Sequence, residues 1–506
     1  MAVQVMEEDV RNEKQKLQEV REYEKISEKR IKKEERPFYH LSPRTGWMND
    51  PNGFSVYKGQ YHMFYQYNPY DTHWDTMHWG HAVSNDLLHW EYLPAALAPD
   101  EAYDADGCFS GSALELPDGR QLLMYTGVAK EKQEDGSIRE IQTQCIAVGD
   151  GADYEKYEKN PVLDQSDLPE GGSPFDFRDP KIWQEEDGTY CCVAGNRPLD
   201  GSGQILLFTS RDGFCWNYKN VLCANRNRFG LMWECPDFFP LDGKWVLFVS
   251  PQDMLAKELE YRNGNGTLCL IGNYDRSLGT FTEEYDQSID YGIDFYAPQT
   301  ILSPDGRRIM IGWMQNWDTC SLQNLGQLWF GQMSIPRELS VKNGRLYQQP
   351  VRELDTMRGE KVSYKDVTVE GLLYLDGIQG RIVDMELTIR PKEGDRYRRF
   401  EVCFAQNKEF YTSLSFFPGE SILKIDRRYS GVRKAVVHQS QCRVDKLGGE
   451  LKLRILLDRF SVEVFVNGGE QVLSMVLCTN MQADGISFFA DGAANIDVVK
   501  YNLWKE

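Results

Sequence analysis

The sequence predicts an all-β protein: a five-bladed β-propeller, then a C-terminal β-sandwich, with a short helical extension in front. Three observations carry that expectation. After Pro37 the chain is built of short alternating strands, such as YHMFYQY (61–67), ILLFTS (205–210), WVLFVS (245–250) and RIMIGWM (308–314), separated by Gly, Asp, Asn and Pro. A repeat runs through them. SNDLLHW (84–90) resembles SRDGFCW (210–216), with weaker echoes at GDGADY (149–154) and YDRSLGTF (274–281), so Asp86, Asp150, Asp212 and Asp275 lie 64, 62 and 63 residues apart. A period of about sixty residues holding several strands belongs to a propeller, a β-helix having a much shorter one. From about residue 363 the strands continue without the repeat (RIVDMELTIR, RRFEVCFAQ, FYTSLSFF, LKLRILLDRFSVEVFV), which is the texture of a sandwich.

The elements follow in order. Residues 1–36 form a charged helical extension in which Val10, Leu17, Val20, Tyr23, Ile26 and Ile31 make one narrow apolar stripe, and Pro37 marks its end. The helix is expected to lie on the body of the protein by Leu17, Val20 and Ile31, not to line a site. Residues 37–345 hold the five blades, 346–362 the linker and 363–506 the sandwich.

Composition narrows the function classes. A formal charge of -20 over 506 residues excludes nucleic acid or an anionic membrane as the main partner and suits a neutral, small-molecule ligand. No apolar run is long enough to span a bilayer, and the first residues, MAVQVMEEDV, lack the basic and apolar regions of a secretory signal. The twelve cysteines are scattered without a CxxC pair and read as buried free thiols, which fits a cytoplasmic location. His73, His78 and His81 cluster in HWDTMHWGH, but the interleaved Trp74 and Trp79 and the missing acidic pattern favour hydrogen bonding in strands over a metal site. No cofactor is expected. A monomer and a homodimer both remain open.

The chemistry resides in WMNDPNG (47–53). Asp50 precedes a proline that biases it to extended backbone, and Asn52-Gly53 supplies a turn, so a strand end would present Asp50 at a sharp corner beside Trp47. FSGS, FRDP and MWECPD share this look. Asp50, Ser110, Asp179 and Glu234 are separated by 60, 69 and 55 residues, and Asp294 follows after another 60. Equal phase in a propeller means one end of the central channel, so these residues should converge on one funnel. Two carboxyls in an aromatic pocket describe glycoside cleavage, one protonating the leaving oxygen and the other meeting the anomeric carbon. Glu234, between Trp233 and Cys235, is the candidate proton donor. Asp50, in a polar turn, is expected to stay ionised.

WMNDPNG, FYQYNP, FSGS, FRDP and the Glu-Cys pair of WECPD, in this order, resemble the retaining β-fructofuranosidases of glycoside hydrolase family 32, and LRILLDRFSVEVFVNGGE (453–470) resembles the run of that family's second domain. The resemblance implies a five-bladed propeller plus sandwich, with Asp50 as nucleophile, Glu234 as general acid/base and Asp179 as transition-state stabiliser. It also implies sugar contacts for Trp47, Asn49, Gln66, Trp74, Phe109, Ser110, Arg178, Asp294 and Trp313. Arg178 should hold Asp179 anionic. The family often has Trp-Gly where this chain has Trp74-Asp75, a departure on the leaving-group side. Cys235 has no triad partner and is read as orienting. The rivals are a non-catalytic carbohydrate-binding propeller, which could lack an acid, and an inverting propeller glycosidase of arabinose or xylose chains. Within the fructosides, sucrose, sucrose 6-phosphate, inulin-type oligosaccharides and levan all fit the motifs.

Overall fold

The computed structural model describes residues 2–198, 200–320, 326–431, 437–445 and 447–504, the side chains of 2–14 and 447 excepted. Five antiparallel sheets follow one another, each beginning with its innermost strand. They open with Gly46–Tyr57, Gly107–Glu115, Phe177–Gln184, Trp233–Leu241 and Tyr296–Leu302, and these five strands neighbour one another in a closed ring. Trp329–Phe330 pairs in parallel with Gly46 and Trp47 and adds a short strand inside the first blade. The aspartates that reveal the repeat occupy one turn, between the third and fourth strands of a blade. Oδ1 of Asp86, Asp150, Asp212 and Asp275 each accepts two backbone N–H groups two and three residues on, closing the outer hairpin.

The apolar core is divided into seams between blades. Phe64, Trp79 and Leu97 meet Leu123 and Tyr125 across the first seam; Met124 and Ile146 meet Phe177 and Leu206 across the second. Met48, Phe54 and Met63 close the ring against Ile309 and Ile311. Polar side chains lock the inner strands from below. Asn52 Oδ1 accepts from Gly111 N (3.1 Å), Ser112 Oγ donates to Pro180 O (2.7 Å), and Gln299 Nε2 donates to Gly111 O (2.7 Å). Burying these groups unpaired would cost about 1–3 kcal/mol each, so their polarity is compatible with the core only in this register.

The C-terminal strands form one continuous ladder bent into a sandwich. The 18-residue strand Gly485–Asn502 pairs through its first half with Tyr397–Gln406 and through its second with Val383–Pro391, so it serves both faces. The stretch expected as linker is more ordered than its polarity implies. It begins inside the last propeller strand, Arg345–Pro350, passes the 3-10 turn Arg352–Met357 and ends in the strand Lys361–Leu373, which is polar because alternate residues face solvent. Buried ion pairs join the two domains: Arg337 binds Glu463 (2.6 Å), and Arg427 binds Asp294.

The N-terminal helix spans Ala2–Ser27, and 3-10 turns follow at Glu28–Arg30 and Lys33–Glu35. Val20 and Ile31 are buried as expected and Leu17 is half-buried, and the helix packs against the outer strand Trp90–Leu97. Arg21 reaches Ala95 O (3.0 Å) and Asp153 (2.7 Å), so the helix straddles the first two blades. No described helix is long and apolar enough to cross a membrane.

Candidate active site

A register shift interrupts each inner strand near its start: between Met48 and Pro51, Phe109 and Gly111, Arg178 and Lys181, Glu234 and Asp237, and Tyr296 and Gln299. A bulge re-aims the side chains around it, and five bulges at one level turn five polar residues toward the same mouth of the channel. WMNDPNG is therefore no turn at a strand end. It runs inside one twelve-residue strand with two shifts, and Gly53 (φ 52°) sits at the second, where a Cβ would stand 2.6 Å from the Phe64 ring. Three of the bulges hold non-glycine residues in left-handed backbone, Asp179 (φ 66°), Cys235 (φ 48°) and Ala297 (φ 49°). Such conformations cost about 1–2 kcal/mol each and persist where the surroundings over-determine them, commonly at functional sites.

Asp50, Asp179 and Glu234 converge there. Asp50 Oδ2 accepts from Ser110 Oγ (2.8 Å) and from the Cys235 thiol (3.4 Å), while its Oδ1 is buried without a hydrogen-bond partner. One oxygen is thus fixed, and the other keeps its lone pairs for an electrophile. Asp179 Oδ2 accepts from Cys235 N (2.9 Å), and the Cys235 sulfur lies 3.6 Å from it. Cys235 therefore bridges the two aspartates. Its own thiol is pushed well up by burial and by Asp179, Asp50 and Glu234, which keeps it a neutral donor and no nucleophile. Glu234 Oε1 accepts Arg178 Nε (3.2 Å) and Nη2 (3.0 Å), and its Oε2 lies 2.7 Å from the Tyr296 hydroxyl. That hydroxyl also lies 3.0 Å from Ser250 O. Its single proton can go to the carbonyl when Glu234 carries a proton on Oε2, or to Glu234 when the carboxylate is ionised, so Tyr296 can bond either state.

The electrostatics depart from expectation in two respects. Burial, then the charge of Glu234, pushes Asp50 up to about 6, against its hydrogen bonds, that from Ser110 first. The expected polar turn is a closed bulge, and loss of solvent dominates. Arg178, expected to hold Asp179 anionic, is 4.0 Å from it and directs its fork at Glu234 and Asp176. Burial outweighs Arg178, and the charges of Glu234 and Asp50 add to it, so Asp179 is pushed up to about 7.

The other expected residues divide. Trp47 donates Nε1–H to Asn49 Oδ1 (2.7 Å), stacks on Phe330 with centroids 4.8 Å apart, and meets Trp313 at 5.8 Å. Trp313 Nε1 is buried without a partner. Gln66 donates to Cys108 O (3.0 Å), tying the first blade to the second. Phe109 meets the edge of Trp74 at 6.0 Å, and Trp74 is 46% exposed on the loop 69–77. Asp294 is not in the funnel set. It is fully buried, with Oδ2 held by Arg427 and Val476 N (2.8 Å) and Oδ1 by Thr319 Oγ1 (2.7 Å), because it docks the sandwich. Its phase belongs to Tyr296, 62 residues after Glu234, which the sequence reading passed over together with Trp317 and Phe330. The three histidines do not converge. His81 pairs with His62 (3.0 Å), His78 bonds Thr76 O (3.1 Å), and His73 faces Asp71 (3.1 Å) on the exposed loop. A cleft of about 820 Å³ between outer strands of the third and fourth blades is lined by paired surface charges such as Glu185 and Arg276, and holds none of the three carboxylates.

A family model described as the glycosyl hydrolases family 32 N-terminal domain matches residues 40–350, and one described as the family 32 C terminal matches 353–505. The chain is 36% identical over 467 residues to the raffinose invertase of Escherichia coli, covering 90% of this chain and 92% of that one. It is equally 36% identical, over 468 residues, to a sucrose-6-phosphate hydrolase of Escherichia coli, covering 90% and 91%. Among solved structures, the Bombyx mori family 32 β-fructofuranosidase BmSUC1 superposes with a TM-score of 0.82 at 33% identity, over 98% of this chain and 99% of that one.

Proposed function

The chain belongs to glycosyl hydrolase family 32, and from that premise we propose how its residues divide the work. The protein is a β-fructofuranosidase, a glycoside hydrolase acting on fructofuranosides. We assign it terminal non-reducing β-D-fructofuranosides such as sucrose and short fructo-oligosaccharides. The carrying observation is the trio Asp50, Asp179 and Glu234, knit by Cys235 and Arg178 inside one aromatic funnel.

Asp50 is the nucleophile. Its unpartnered Oδ1 attacks the anomeric carbon as Glu234 gives its proton to the departing glycosidic oxygen, leaving a fructosyl ester on Asp50. Glu234, now ionised, takes a proton from water; the water oxygen bonds to the anomeric carbon, and Asp50 leaves as carboxylate. Tyr296, able to bond Glu234 in either state, and Arg178, fixed on the other oxygen, hold that group through both steps. Asp179, at the same level, meets the sugar hydroxyls, and Trp47, Phe109 and Trp313 cover its apolar faces. The twelve free cysteines support handling of small imported sugars in the cytoplasm. Product analysis on sucrose, sucrose 6-phosphate, an inulin-type oligosaccharide and levan tests the assignment. Fructose should appear first from sucrose and the short oligosaccharide. Activity confined to sucrose 6-phosphate would move the specificity, and no fructose from any of the four would end it.

A further inference from the structure

The loop 69–77 joins the second and third strands of the first blade and carries Trp74 to the rim of the funnel. Trp74 lies against Phe109, whose neighbour Ser110 binds the buried Asp50, so this loop is part of the exposed rim past which a departing group must reach solvent. The loop is fastened at both ends. Asn68, which pairs with Trp47 across the sheet, accepts from Tyr70 N (3.1 Å) and donates to His73 O (2.9 Å); at the far end Met77 O accepts from Cys108 N (2.9 Å). Between these anchors Trp74 is nearly half exposed, and its ring meets that of Phe109 at 6.0 Å in a T-shaped pair.

A third support comes from outside the propeller. Tyr23 of the N-terminal helix packs edge-on against Tyr70, centroids 5.0 Å apart, with its hydroxyl 3.5 Å from Tyr70 O. The helix is a firm base for that contact. Val20 and Glu24 on the same turn are fully buried, Arg21 binds Ala95 O, and Glu24 accepts from Ala95 N (3.1 Å). Tyr70 in turn meets His78, the first residue of the next strand, at 6.0 Å. The chain of contact runs from helix to Tyr23, to Tyr70, to the loop and to Trp74.

We propose that the N-terminal helix is a specificity element: Tyr23, through Tyr70, positions the Trp74 loop and so sets the fit of the leaving group, while the fructosyl pocket is independent of it. This rests on the β-fructofuranosidase reading above. Tyr23 and Tyr70 are positioning residues and make no contact with the reacting atoms. The separation is physical. The fructosyl side is built from inner strands locked by buried hydrogen bonds, whereas the loop runs over the surface and leaves Trp74 nearly half exposed.

The test compares three substrates that share the fructosyl group and differ in what departs: methyl β-D-fructofuranoside, sucrose and raffinose. In Tyr23→Ala, KM for sucrose and raffinose should rise about two- to ten-fold, the span expected for losing one aromatic contact. The kcat values, and both constants for the methyl fructoside, should stay at wild-type levels. Tyr23→Phe should restore wild-type values, because the ring does the positioning. Tyr70→Ala should repeat the pattern and serves if Tyr23→Ala fails to fold. Equal changes for all three substrates, or unchanged KM values in folded variants lacking either ring, would overturn the proposal. Wild-type enzyme inactive on all three would instead refute the parent assignment, so the two failures are distinct.

Discussion

Replacing His40 with Gln should weaken the fold at neutral pH and leave it unaffected at high pH. His40 enters the propeller from the helical extension, and its ring is enclosed by the sandwich: Nδ1 lies 2.8 Å from Asp458 and Nε2 2.9 Å from Glu463, with all three side chains at most 1% exposed. Acceptors on both nitrogens require both to carry protons. Burial alone would depress the ring, but the hydrogen bonds to Asp458 and Glu463, and their charges, push it up to about 9 from 6.5. Both carboxyls are correspondingly lowered, Asp458 chiefly by His40 and Glu463 chiefly by Arg337, each against the upward push of burial. A raised histidine contributes stability that is full below its unfolded value of 6.5 and disappears as pH climbs through about 9. Raising the ring from 6.5 to about 9, at about 1.4 kcal/mol per pH unit, is worth roughly 3.5 kcal/mol. Urea denaturation of wild type and His40→Gln at about pH 6 should therefore differ by about 3.5 kcal/mol, and at about pH 10 by little. A difference that does not change with pH would refute the reasoning, since Gln would then cost only packing.

Three further outcomes follow from the same geometry. Ser110→Ala removes the hydrogen bond that favours ionised Asp50, so the acid limb of kcat/KM, expected near 6 in wild type, should move up by about one unit; a limb that stays or falls would contradict the roles given to that pair. Glu24, buried under the helix and raised to about 7, destabilises the fold as pH rises from 4.5 through 7, so Glu24→Gln should raise the melting temperature at about pH 8 and not at about pH 4. Asp294→Asn strands the buried Arg427 and should cost about 3–5 kcal/mol of stability with KM for sucrose unchanged; a changed KM in a stable variant would return Asp294 to the funnel.

The repeat was legible because one turn recurs. Asp86, Asp150, Asp212 and Asp275 each close the same outer hairpin, and a side chain that caps two backbone N–H groups leaves a mark at a fixed period. The inner residues kept a similar period, which brought Asp50, Ser110, Asp179 and Glu234 into view. It failed at the fifth blade. An acid at 294 drew attention from Tyr296, although a phenol serves there because its partner is already a carboxylate. Arg178 does lower Asp179, as its place in the sequence implied, but its hydrogen bonds go to Glu234 and Asp176, and burial outweighs it at Asp179. Sequence neighbours on a strand point to opposite faces, and only the bulge decides which side chain an arginine reaches. Nothing in the order of residues revealed that Tyr23 rests on Tyr70, since contacts between a helix and a loop some fifty positions later leave no periodic trace.

The central claim is a covalent fructosyl-enzyme on Asp50. In Glu234→Ala, an activated fructoside with a good leaving group needs no acid to react, but the intermediate lacks the base that would activate water, so it should accumulate. Mass spectrometry of the digested protein should then find one fructosyl residue attached within WMNDPNG, at Asp50. An adduct on Asp179, or continued turnover to an inverted product with no adduct, would contradict the account.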